Sequence, residues 1–396
     1  MSVVDMSGRV GLFPDINNAE PHLRTTGILP SQAIRDLIAN RRVLASPDVK
    51  EEQIQPASLD LRLGDVAHRV QASFLPGPRS TVEDKIKLSR MTRVDLTRST
   101  VFEKGCVYIV PLLEELNLPP DISAKANPKS TTGRLDIFTR LITDYGVEFE
   151  RVPSGYKGPL YAEIVPRTFT IGVRAGMRLN QLRFIRGNPP SPDSVLTSLD
   201  DEHGLVFLDE NNSAKAQIDR GLKVTVNLKA TDASGIVGYK ARRNTPAIEL
   251  DKLGFYSAED FWEIKRENET NSLILDPSDF YILASREKVR VPPEFAAEMV
   301  AFDPSVGEFR IHYAGFFDPG FGYGTNDIKG TQAVLEVRAH EVPFVIDHGQ
   351  VVGRLVYAHL LSRPEKIYGV GIGSSYQRQA LTLSKQFRRP NSEHLV

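Results

Sequence analysis

Apolar and polar residues alternate with a period of two in several short segments of the chain. Segment 59–64, Leu-Asp-Leu-Arg-Leu-Gly, alternates in this way and stops at a glycine, as a half-buried β-strand does. Apolar runs at 106–111 and 280–284 are bounded by turn-forming residues, and those at 160–165 and 333–338 each contain one glutamate. The pattern predicts a mainly β protein.

Two stretches of the sequence match each other at a constant shift of 173 positions. The shift takes Tyr108 to Tyr281, Glu163 to Glu336, Gly176 to Gly349 and Leu182 to Leu355. An unchanged shift over this span is hard to obtain by chance, and it requires that any insertions inside the span cancel. We therefore interpret the chain as one domain duplicated in tandem.

The domain boundaries follow from this repeat and from local composition. We expect a first domain at 1–190, a linker at 191–216 where prolines and acidic residues cluster, and a second domain at 217–396. The chain has 26 prolines and 29 glycines, spaced between short strands, which favours barrels or sandwiches over helical bundles. A short helix is predicted at 31–38. Segment 240–265, which contains the only tryptophan, has no clear counterpart in the first copy.

Composition limits the partners. The 396 residues include 49 basic and 50 acidic residues, for a formal charge of −1, so no global field attracts nucleic acid or an anionic membrane. The single cysteine, Cys106, excludes an intramolecular disulfide and fits a reducing compartment. No apolar run approaches the length of a membrane span, and the first residues lack the features of a signal peptide. We expect a cytoplasmic protein.

Glu163 and Glu336 lie inside apolar strand segments at positions related by the repeat. Each side chain points either to the solvent face of a half-buried strand or into a closed pocket, and the sequence leaves both alternatives open. In a pocket, burial would raise the carboxyl pKa towards neutrality and make the group a competent general base.

A second candidate site is segment 127–135, Asn-Pro-Lys-Ser-Thr-Thr-Gly-Arg-Leu. Hydroxyls and backbone N–H groups at the start of a helical turn favour phosphate, and Lys129 and Arg134 would supply positive charge. An ordinary helix cap explains the same pattern. The corresponding region of the second copy, 302–309, contains two acids and no base, and it would repel a polyphosphate.

A third feature is segment 310–322, an alternating strand that runs into an Asp-Pro-Gly turn and predicts a hairpin. The first copy has only Val-Pro-Ser-Gly-Tyr-Lys-Gly at 152–158, without the aspartate.

Together these segments resemble the dCTP deaminase branch of the trimeric dUTPase-like superfamily. The resemblance rests on Ala-Gly-Phe-Phe-Asp-Pro-Gly-Phe at 314–321, Lys-Ser-Thr-Thr-Gly-Arg-Leu at 129–135, Pro-Ala-Ser-Leu-Asp-Leu-Arg-Leu-Gly at 56–64 and the glutamate-bearing strands. It implies an all-β fold of two tandem distorted jelly-roll β barrels with a few short helices. It also implies active sites between neighbouring barrels, a C-terminal lid at the end of the second barrel, where segment 375–379 is similar to the family's lid, and a homotrimer of two-barrel chains.

The resemblance assigns roles to residues. The catalytic residues that it implies are Glu336, its counterpart Glu163, and Arg134. The implied substrate-binding residues are Lys129, Ser130, Thr131, Arg134, His312, Ala314, Gly315, Asp318, Tyr368, Tyr376 and Gln379. The chain departs from the family motif at Lys129, where arginine is usual, and at Thr132, where leucine is usual. It also carries an insertion between Phe321 and Thr331.

The implied reaction is hydrolytic deamination of dCTP to dUTP and ammonia. A glutamate takes a proton from water, and the hydroxide attacks C4 of cytosine. Magnesium is expected only with the triphosphate. A zinc deaminase site is excluded, because it needs at least two cysteines where this chain has one.

The two copies have lost different features. The first keeps the basic phosphate motif and the second keeps the hairpin and the tail, which predicts a composite site with Lys129, Ser130, Thr131 and Arg134 from one copy and His312, Ala314, Asp318 and Glu336 from another. Two other functions stay open: a dUTP pyrophosphatase or bifunctional dCTP-to-dUMP enzyme, and a noncatalytic nucleotide-binding protein.

Overall fold

The computed structural model of the chain describes residues 24–209, 213–301, 309–311, 315–323, 329–339, 341–368 and 381–388. Its described elements are short β-strands joined by turns, with a few short helices, as the hydrophobic pattern predicts. The architecture is all-β with two units.

The elements of the first half are connected mainly by antiparallel pairing. Its strands are β1 Gly27–Ile28, β2 Val43–Ala45, β3 Leu59–Arg62, β4 Val66–Val70, β5 Arg90–Asp95, β6 Thr100–Phe102, β7 Val107–Asn117, β8 Ile122–Pro128, β9 Ile137–Thr143, β10 Arg151–Val152, β11 Lys157–Pro166, β12 Ile171–Val173 and β13 Arg178–Arg186. Its helices are α1 Ser31–Ala39, α2 Val82–Ser89 and α3 Ser130–Gly133. Helix α1 lies in the predicted segment and buries Ile34 and Leu37, three residues apart on one face.

The second half repeats this plan. Its strands are β14 Val206–Phe207, β15 Ser213–Ala214, β16 Leu222–Asn227, β17 Ile236–Ala241, β18 Ile248–Glu249, β19 Trp262–Arg266, β20 Ser272–Leu275, β21 Phe280–Val289, β22 Phe295–Ala301, β23 Phe309–Ile311, β24 Phe316–Phe317, β25 Thr331–Ala339, β26 Phe344–Asp347 and β27 Val351–His359. Its helices are α4 Asp193–His203 and α5 Ala258–Phe261.

Strand register reproduces the sequence repeat. In the first half Glu163 of β11 lies opposite Ile109 of β7. In the second half Glu336 of β25 lies opposite Ile282 of β21, and both partners are displaced by the same 173 positions. A second sheet agrees, because Leu182 pairs with Ala126 and Leu355 pairs with Met299. The two units are copies in backbone pairing as well as in sequence.

Alternation along β25 decides which way Glu336 points. Ala333, Leu335 and Val337 are buried in the core of the second unit, whereas Val334 packs against the cluster that joins the first unit to Phe280 and Ile282 of the second. Since successive side chains of a strand leave on opposite faces, Glu336 shares the face of Val334. The carboxylate therefore points from the second barrel towards the first.

The predicted linker at 191–216 is not a simple connection. Helix α4 occupies 193–203, and Leu196 and Leu199 are buried in the core of the second unit together with Leu205. The boundary of the second unit therefore moves towards the N-terminus, because an apolar pair three residues apart gives the helix a face to bury.

Segment 240–265 is an arm of the second unit that packs on the first. Strand β18 forms a parallel pair with β12, with Ile248 opposite Ile171. Trp262 is 1% exposed, and its ring lies 5.4 Å from that of Phe169 in the first unit. The ring of Phe387, near the end of the described chain, lies 5.9 Å from Trp262. The arm and the C-terminal segment thus join the two units through one aromatic cluster.

Candidate active site

A cleft opens where β25 and the Asp-Pro-Gly turn of the second barrel meet helix α3 of the first. It encloses about 780 Å³ of empty space, counting its open mouth, which suits a small-molecule site. Its polar lining residues include Lys129, Ser130 and Arg134 from the first barrel and Asp318, Gln332, Glu336 and Tyr368 from the second. Side chains from both barrels of one chain therefore line the same cleft.

Glu336 lies on the wall of this cleft with only 7% of its surface exposed. Burial raises the pKa of its carboxyl to about 8, and the positive charge of Arg134 acts in the opposite direction. Among the described residues, no salt bridge reaches this carboxylate. A carboxyl group with a pKa near neutrality can accept and return a proton at low cost.

Arg134 follows helix α3 and is buried beside the cleft, with 6% of its surface exposed. One guanidinium nitrogen, Nη1, donates a hydrogen bond to the Thr382 carbonyl oxygen at 3.0 Å. Ser384 donates from its hydroxyl to the Thr131 carbonyl oxygen at 3.2 Å. The C-terminal segment of the second barrel therefore fixes the phosphate motif of the first, and it also orients Arg134.

The phosphate motif itself divides between two faces. Lys129, Ser130 and Arg134 line the cleft that contains Glu336, whereas Thr131 and Thr132 line a neighbouring cleft. Ser130 is exposed. Thr132 is buried, and its hydroxyl donates to the Leu179 carbonyl oxygen at 2.9 Å. Thr132 thus anchors the turn, and Ser130 lines the cleft.

Positive charge accumulates where the two clefts meet. Lys129 lines both clefts, and Arg178 and Lys385 line the second one. Burial lowers the pKa of Lys385, and the positive charges of Lys129 and Arg178 lower it further. Asp60 accepts a hydrogen bond from Lys129 Nζ and offsets part of this charge. The region favours an anion, because a phosphate would relieve the repulsion between the cations.

The Asp-Pro-Gly turn is tied to the first barrel. Asp318 pairs at 3.5 Å with Arg183, a buried residue of β13 whose Nη1 also donates to the Ala297 carbonyl oxygen at 3.0 Å. Burial raises the pKa of Asp318. Gly320 has φ +87°, and a Cβ there would collide with the side chain of Ile367, so only glycine fits the turn.

The strands around this turn differ from the simple hairpin that the sequence predicts. Strand β23 pairs with β25, whereas β24, nearer the turn, pairs with β22 of another part of the sheet. The Gly315 carbonyl oxygen accepts a hydrogen bond from the Met299 N–H at 3.0 Å, which holds this corner against β22. The turn is a corner between strands, and that places Asp318 over the cleft.

The structure brings together seven of the residues assigned from sequence: Lys129, Ser130, Arg134, Gly315, Asp318, Glu336 and Tyr368. Tyr368 donates its N–H to the Pro319 carbonyl oxygen at 2.9 Å, and its ring lies 5.4 Å from that of Phe321. His312, Ala314, Tyr376 and Gln379 lie outside the described residues.

Glu163 does not line this cleft. It is fully buried, and its Oε1 accepts a hydrogen bond from Arg140 Nε at 2.9 Å. The face of β11 that carries it is covered by its own barrel, where Val82 and Ile86 of α2 pack with Tyr161. The two glutamates of the repeat therefore occupy different environments.

Sequence reasoning missed several residues of the cleft and its surroundings. Contacts between distant parts of the chain place Arg183 against Asp318 of the cleft, Lys385 in the neighbouring cleft, and the ion pair of Arg338 with Asp136 close to both. Of these, only Arg338 carried a local signal, because it lies two positions after Glu336 on the same face of the strand.

No group of three or more His, Cys, Asp or Glu side chains in the described part of the chain could hold a metal ion. None of the helices in the described ranges is long and apolar enough to cross a membrane.

Both halves of the chain match family models. Residues 25–188 match the 2′-deoxycytidine 5′-triphosphate deaminase (DCD) N-terminal domain, and residues 193–387 match the C-terminal domain of the same enzyme.

Curated relatives agree with the models. The chain is 30% identical over 167 residues to a dCTP deaminase of Halorubrum lacusprofundi, which covers 41% of this chain and 79% of that protein. It is 28% identical over 165 residues to a "dCTP deaminase, dUMP-forming" of Beutenbergia cavernae, covering 41% of this chain and 82% of the relative.

A solved structure is also similar. The crystal structure of 2′-deoxycytidine 5′-triphosphate deaminase from Agrobacterium tumefaciens is 52% identical to this chain, with a TM-score of 0.82. The match covers 86% of this chain and 100% of that one.

Proposed function

Because this chain belongs to the 2′-deoxycytidine 5′-triphosphate deaminase family, we propose that its inter-barrel cleft hydrolyses dCTP to dUTP and ammonia, with Glu336 as the general base. The observation that carries the proposal is the meeting of Glu336 with Ser130 and Arg134 in one cleft. An ionisable carboxyl and a phosphate motif from different barrels meet where the reaction needs both.

Glu336 handles the protons. Its carboxylate accepts a proton from water, and the hydroxide adds to C4 of the cytosine ring. The same carboxyl then returns this proton to the exocyclic amine, which leaves as ammonia, while the proton of the added hydroxyl passes to N3 and the C4 carbonyl forms. A pKa of about 8 suits both steps, since proton transfer is efficient when the group titrates near the working pH.

Arg134 keeps this base available. Its positive charge favours the ionised form of Glu336 and opposes the effect of burial. The Thr382 carbonyl oxygen holds the guanidinium in place, so little reorganisation is needed when substrate binds.

The triphosphate occupies the positive end of the cleft. Ser130 donates from its hydroxyl, Lys129 supplies charge, and Arg178 and Lys385 extend the positive region beyond it. Magnesium enters as the counterion of the triphosphate and so belongs to the substrate. Asp318 and Gly315 form the wall of the cleft that belongs to the Asp-Pro-Gly turn, near the carboxylate of Glu336. We keep His312, Ala314, Tyr376 and Gln379 as further substrate-binding residues on the strength of their motifs.

A second outcome, formation of dUMP, is favoured by the name of the Beutenbergia cavernae relative. One assay separates the possibilities: the purified chain is incubated with dCTP and magnesium, and ammonia, dUTP, dUMP and pyrophosphate are followed. Ammonia with dUTP supports the proposal, whereas ammonia with dUMP and pyrophosphate supports the bifunctional reaction. Pyrophosphate from added dUTP alone indicates a pyrophosphatase, and dCTP binding without product indicates a noncatalytic protein.

We further propose the homotrimer of two-barrel chains that the family resemblance implies. The trimer rests on that resemblance alone; within one chain, Lys125 and Glu298, which occupy equivalent positions in the two barrels, are in contact. Equivalent residues meet when copies are related by rotation about a nearby axis. Light scattering on the purified protein gives the mass.

A further inference from the structure

We propose that Arg338 and Asp136 form a positioning pair that holds Glu336 against Arg134 across the barrel interface, an inference that rests on the proposed function. The pair lies deep between the barrels: Asp136 is fully buried and Arg338 is 5% exposed.

The contacts of Arg338 leave it little freedom. Its Nε donates to Asp136 Oδ2 at 3.1 Å, and its Nη2 donates to the same oxygen and to Thr168 Oγ1 at 2.7 Å. Its Nη1 donates to the Ser278 carbonyl oxygen. Two donors of the guanidinium converge on one carboxylate oxygen, and Nε also lies 3.4 Å from the other, Oδ1. These charge-assisted contacts restrict the position of Arg338, so β25 is held in one register against the first barrel.

Asp136 is equally constrained. The Thr168 hydroxyl donates to its Oδ2 at 2.5 Å, and its own N–H donates to the Gly133 carbonyl oxygen at 2.8 Å. Its φ is +52°, a backbone conformation that is uncommon for residues other than glycine. Aspartate is among the few residue types that tolerate it, and the contacts of the side chain and the N–H hold Asp136 in that conformation.

The two pairs are placed side by side. Arg338 lies two residues after Glu336 on one face of β25, and Asp136 lies two residues after Arg134. Any slip of the barrels that separates Arg338 from Asp136 therefore also moves Glu336 away from Arg134.

Only one of the two copies carries the arginine. The position equivalent to Arg338 in the first barrel is Val165, which cannot form an ion pair. The arginine is thus present in the copy whose glutamate, Glu336, lines the cleft, and it is absent from the copy whose glutamate, Glu163, does not.

The charges of Arg338 and Asp136 also affect the ionisation of Glu336. In the described part of the chain, the titratable and charged groups that share the cleft or its wall with Glu336 are Lys129, Arg134, Asp136, Arg183, Asp318, Arg338 and Tyr368. The neighbouring strand presents Ile282 opposite Glu336. Asp136 raises the pKa of Glu336, and Arg338 is the cation that offsets the charge of Asp136. Without Arg338, Asp136 would lose a cation that donates to it, and its negative charge would act more strongly on Glu336.

The test compares pH profiles of kcat/KM for dCTP. A general base is active when ionised, so the rate falls below its pKa and a higher pKa moves this acidic limb to higher pH. We expect Arg338→Met to move the limb upward by about one pH unit. Turnover below the pKa then falls about tenfold, while KM for dCTP changes less than threefold. The double variant Asp136→Asn/Arg338→Met, which removes both charges, returns the limb to or below its original position, and Arg338→Lys gives an intermediate shift.

A matched control comes from the first barrel. Arg62 and Glu114 form a buried pair at 2.7 Å away from the cleft, and Arg62→Met should cost similar stability without moving the limb. An unmoved limb in Arg338→Met, with turnover lost only in proportion to unfolded protein, overturns the inference.

One readout does not depend on activity. The Glu336 carboxyl is titrated by carbon-13 NMR in the wild type and in Arg338→Met, with its signal assigned through Glu336→Gln. A raised midpoint in Arg338→Met supports the pair even if the wild type releases no ammonia, in which case the proposed function alone fails. Equal midpoints overturn the pair.

Discussion

Glu163 and Glu336 occupy the same position in two copies of one fold, yet only one of them faces a cleft. Each lies opposite an isoleucine of the neighbouring strand, Ile109 in one copy and Ile282 in the other. The backbone therefore sets the position of a carboxylate without setting its role. The partner on the outer face of the strand decides the role.

In the first copy that partner is Arg140. Its guanidinium donates to Glu163 and to Ser73 Oγ at 2.7 Å, and it lies 3.4 Å from the centre of the Phe149 ring. In the second copy the same face of the strand meets Arg134, which lies beside a cleft. A paired and covered carboxylate serves as a structural anion, whereas a buried carboxyl without a salt bridge is available for proton transfer.

The largest expected effect tests this contrast directly. Glu336→Gln keeps the shape of the side chain and removes the base, so we expect kcat for dCTP deamination to fall by about 10²–10⁴-fold. Glu163→Gln lies outside the cleft, and its kcat should stay within about threefold of the wild type once the folded fraction is corrected for. Ammonia release under saturating dCTP measures both.

Equal losses in the two variants would break the comparison and mean that both copies take part in catalysis. Circular dichroism on each variant guards against a loss that comes only from unfolding.

The second largest effect is expected on KM, when the cation near each glutamate is removed. Lys129→Met removes charge from the phosphate end of the cleft, and we expect KM for dCTP to rise by about tenfold with a smaller change in kcat. Arg140→Met removes the cation that pairs with Glu163 and that is buried to a similar extent as Lys129. Because Arg140 does not line the cleft, KM should not change. Steady-state kinetics at fixed magnesium distinguishes them. A raised KM in Arg140→Met would indicate a second nucleotide site beside Glu163.

We expect Glu163→Gln and Glu336→Gln to change the stability of the fold in opposite directions at alkaline pH. Glu163→Gln removes the charge of a buried carboxylate that is paired with the half-buried Arg140, which costs about 1–3 kcal/mol and lowers Tm by several degrees. Glu336→Gln removes a carboxyl that resists ionisation in the folded state. The folded pKa of Glu336, about 8, lies above its ordinary value, so the wild type loses stability as pH rises through 8.

We therefore expect Glu336→Gln to melt at a higher temperature than the wild type near pH 9 and at nearly the same temperature near pH 5. Calorimetry at the two pH values gives the difference. Glu150, whose pKa burial also raises to about 8, titrates in both proteins and cancels. A variant that melts below the wild type at both values would contradict the raised pKa.

The sequence was informative where the signal is local or repeated. The 173-residue shift and the period-two alternation predicted the two β units, and the Lys129–Leu135 motif and the glutamate strand predicted residues that the structure brings into one cleft. Helix α4 also carried a signal, in the spacing of Leu196 and Leu199, but its polar composition favoured a linker.

What the sequence left open depends on tertiary contacts. Arg140 is an ordinary exposed position of an alternating strand until Glu163 folds beside it. The role of the arm around Trp262 follows from Phe169, far earlier in the chain. The role proposed for Arg338 follows only from its ion pair with Asp136, which belongs to the other barrel. Such pairs share no local pattern, so periodicity cannot reveal them.

The smallest effect concerns the rim of the interface, where Lys125 Nζ lies 2.5 Å from Glu298 Oε1. These positions are equivalent in the repeat, so two identical barrels would place like charges together, and the present pair is attractive only because the copies have diverged. An ion pair between side chains that are 45% and 21% exposed contributes about 0.2–1 kcal/mol to stability.

We expect Lys125→Glu and Glu298→Lys each to lower Tm by about 1–3 °C, with kcat within about twofold of the wild type. The double exchange should restore most of the loss, since it reverses the pair without removing it. If the double variant instead shows the sum of the two losses, each residue acts separately, and the divergence of the barrels at this contact does not stabilise their docking.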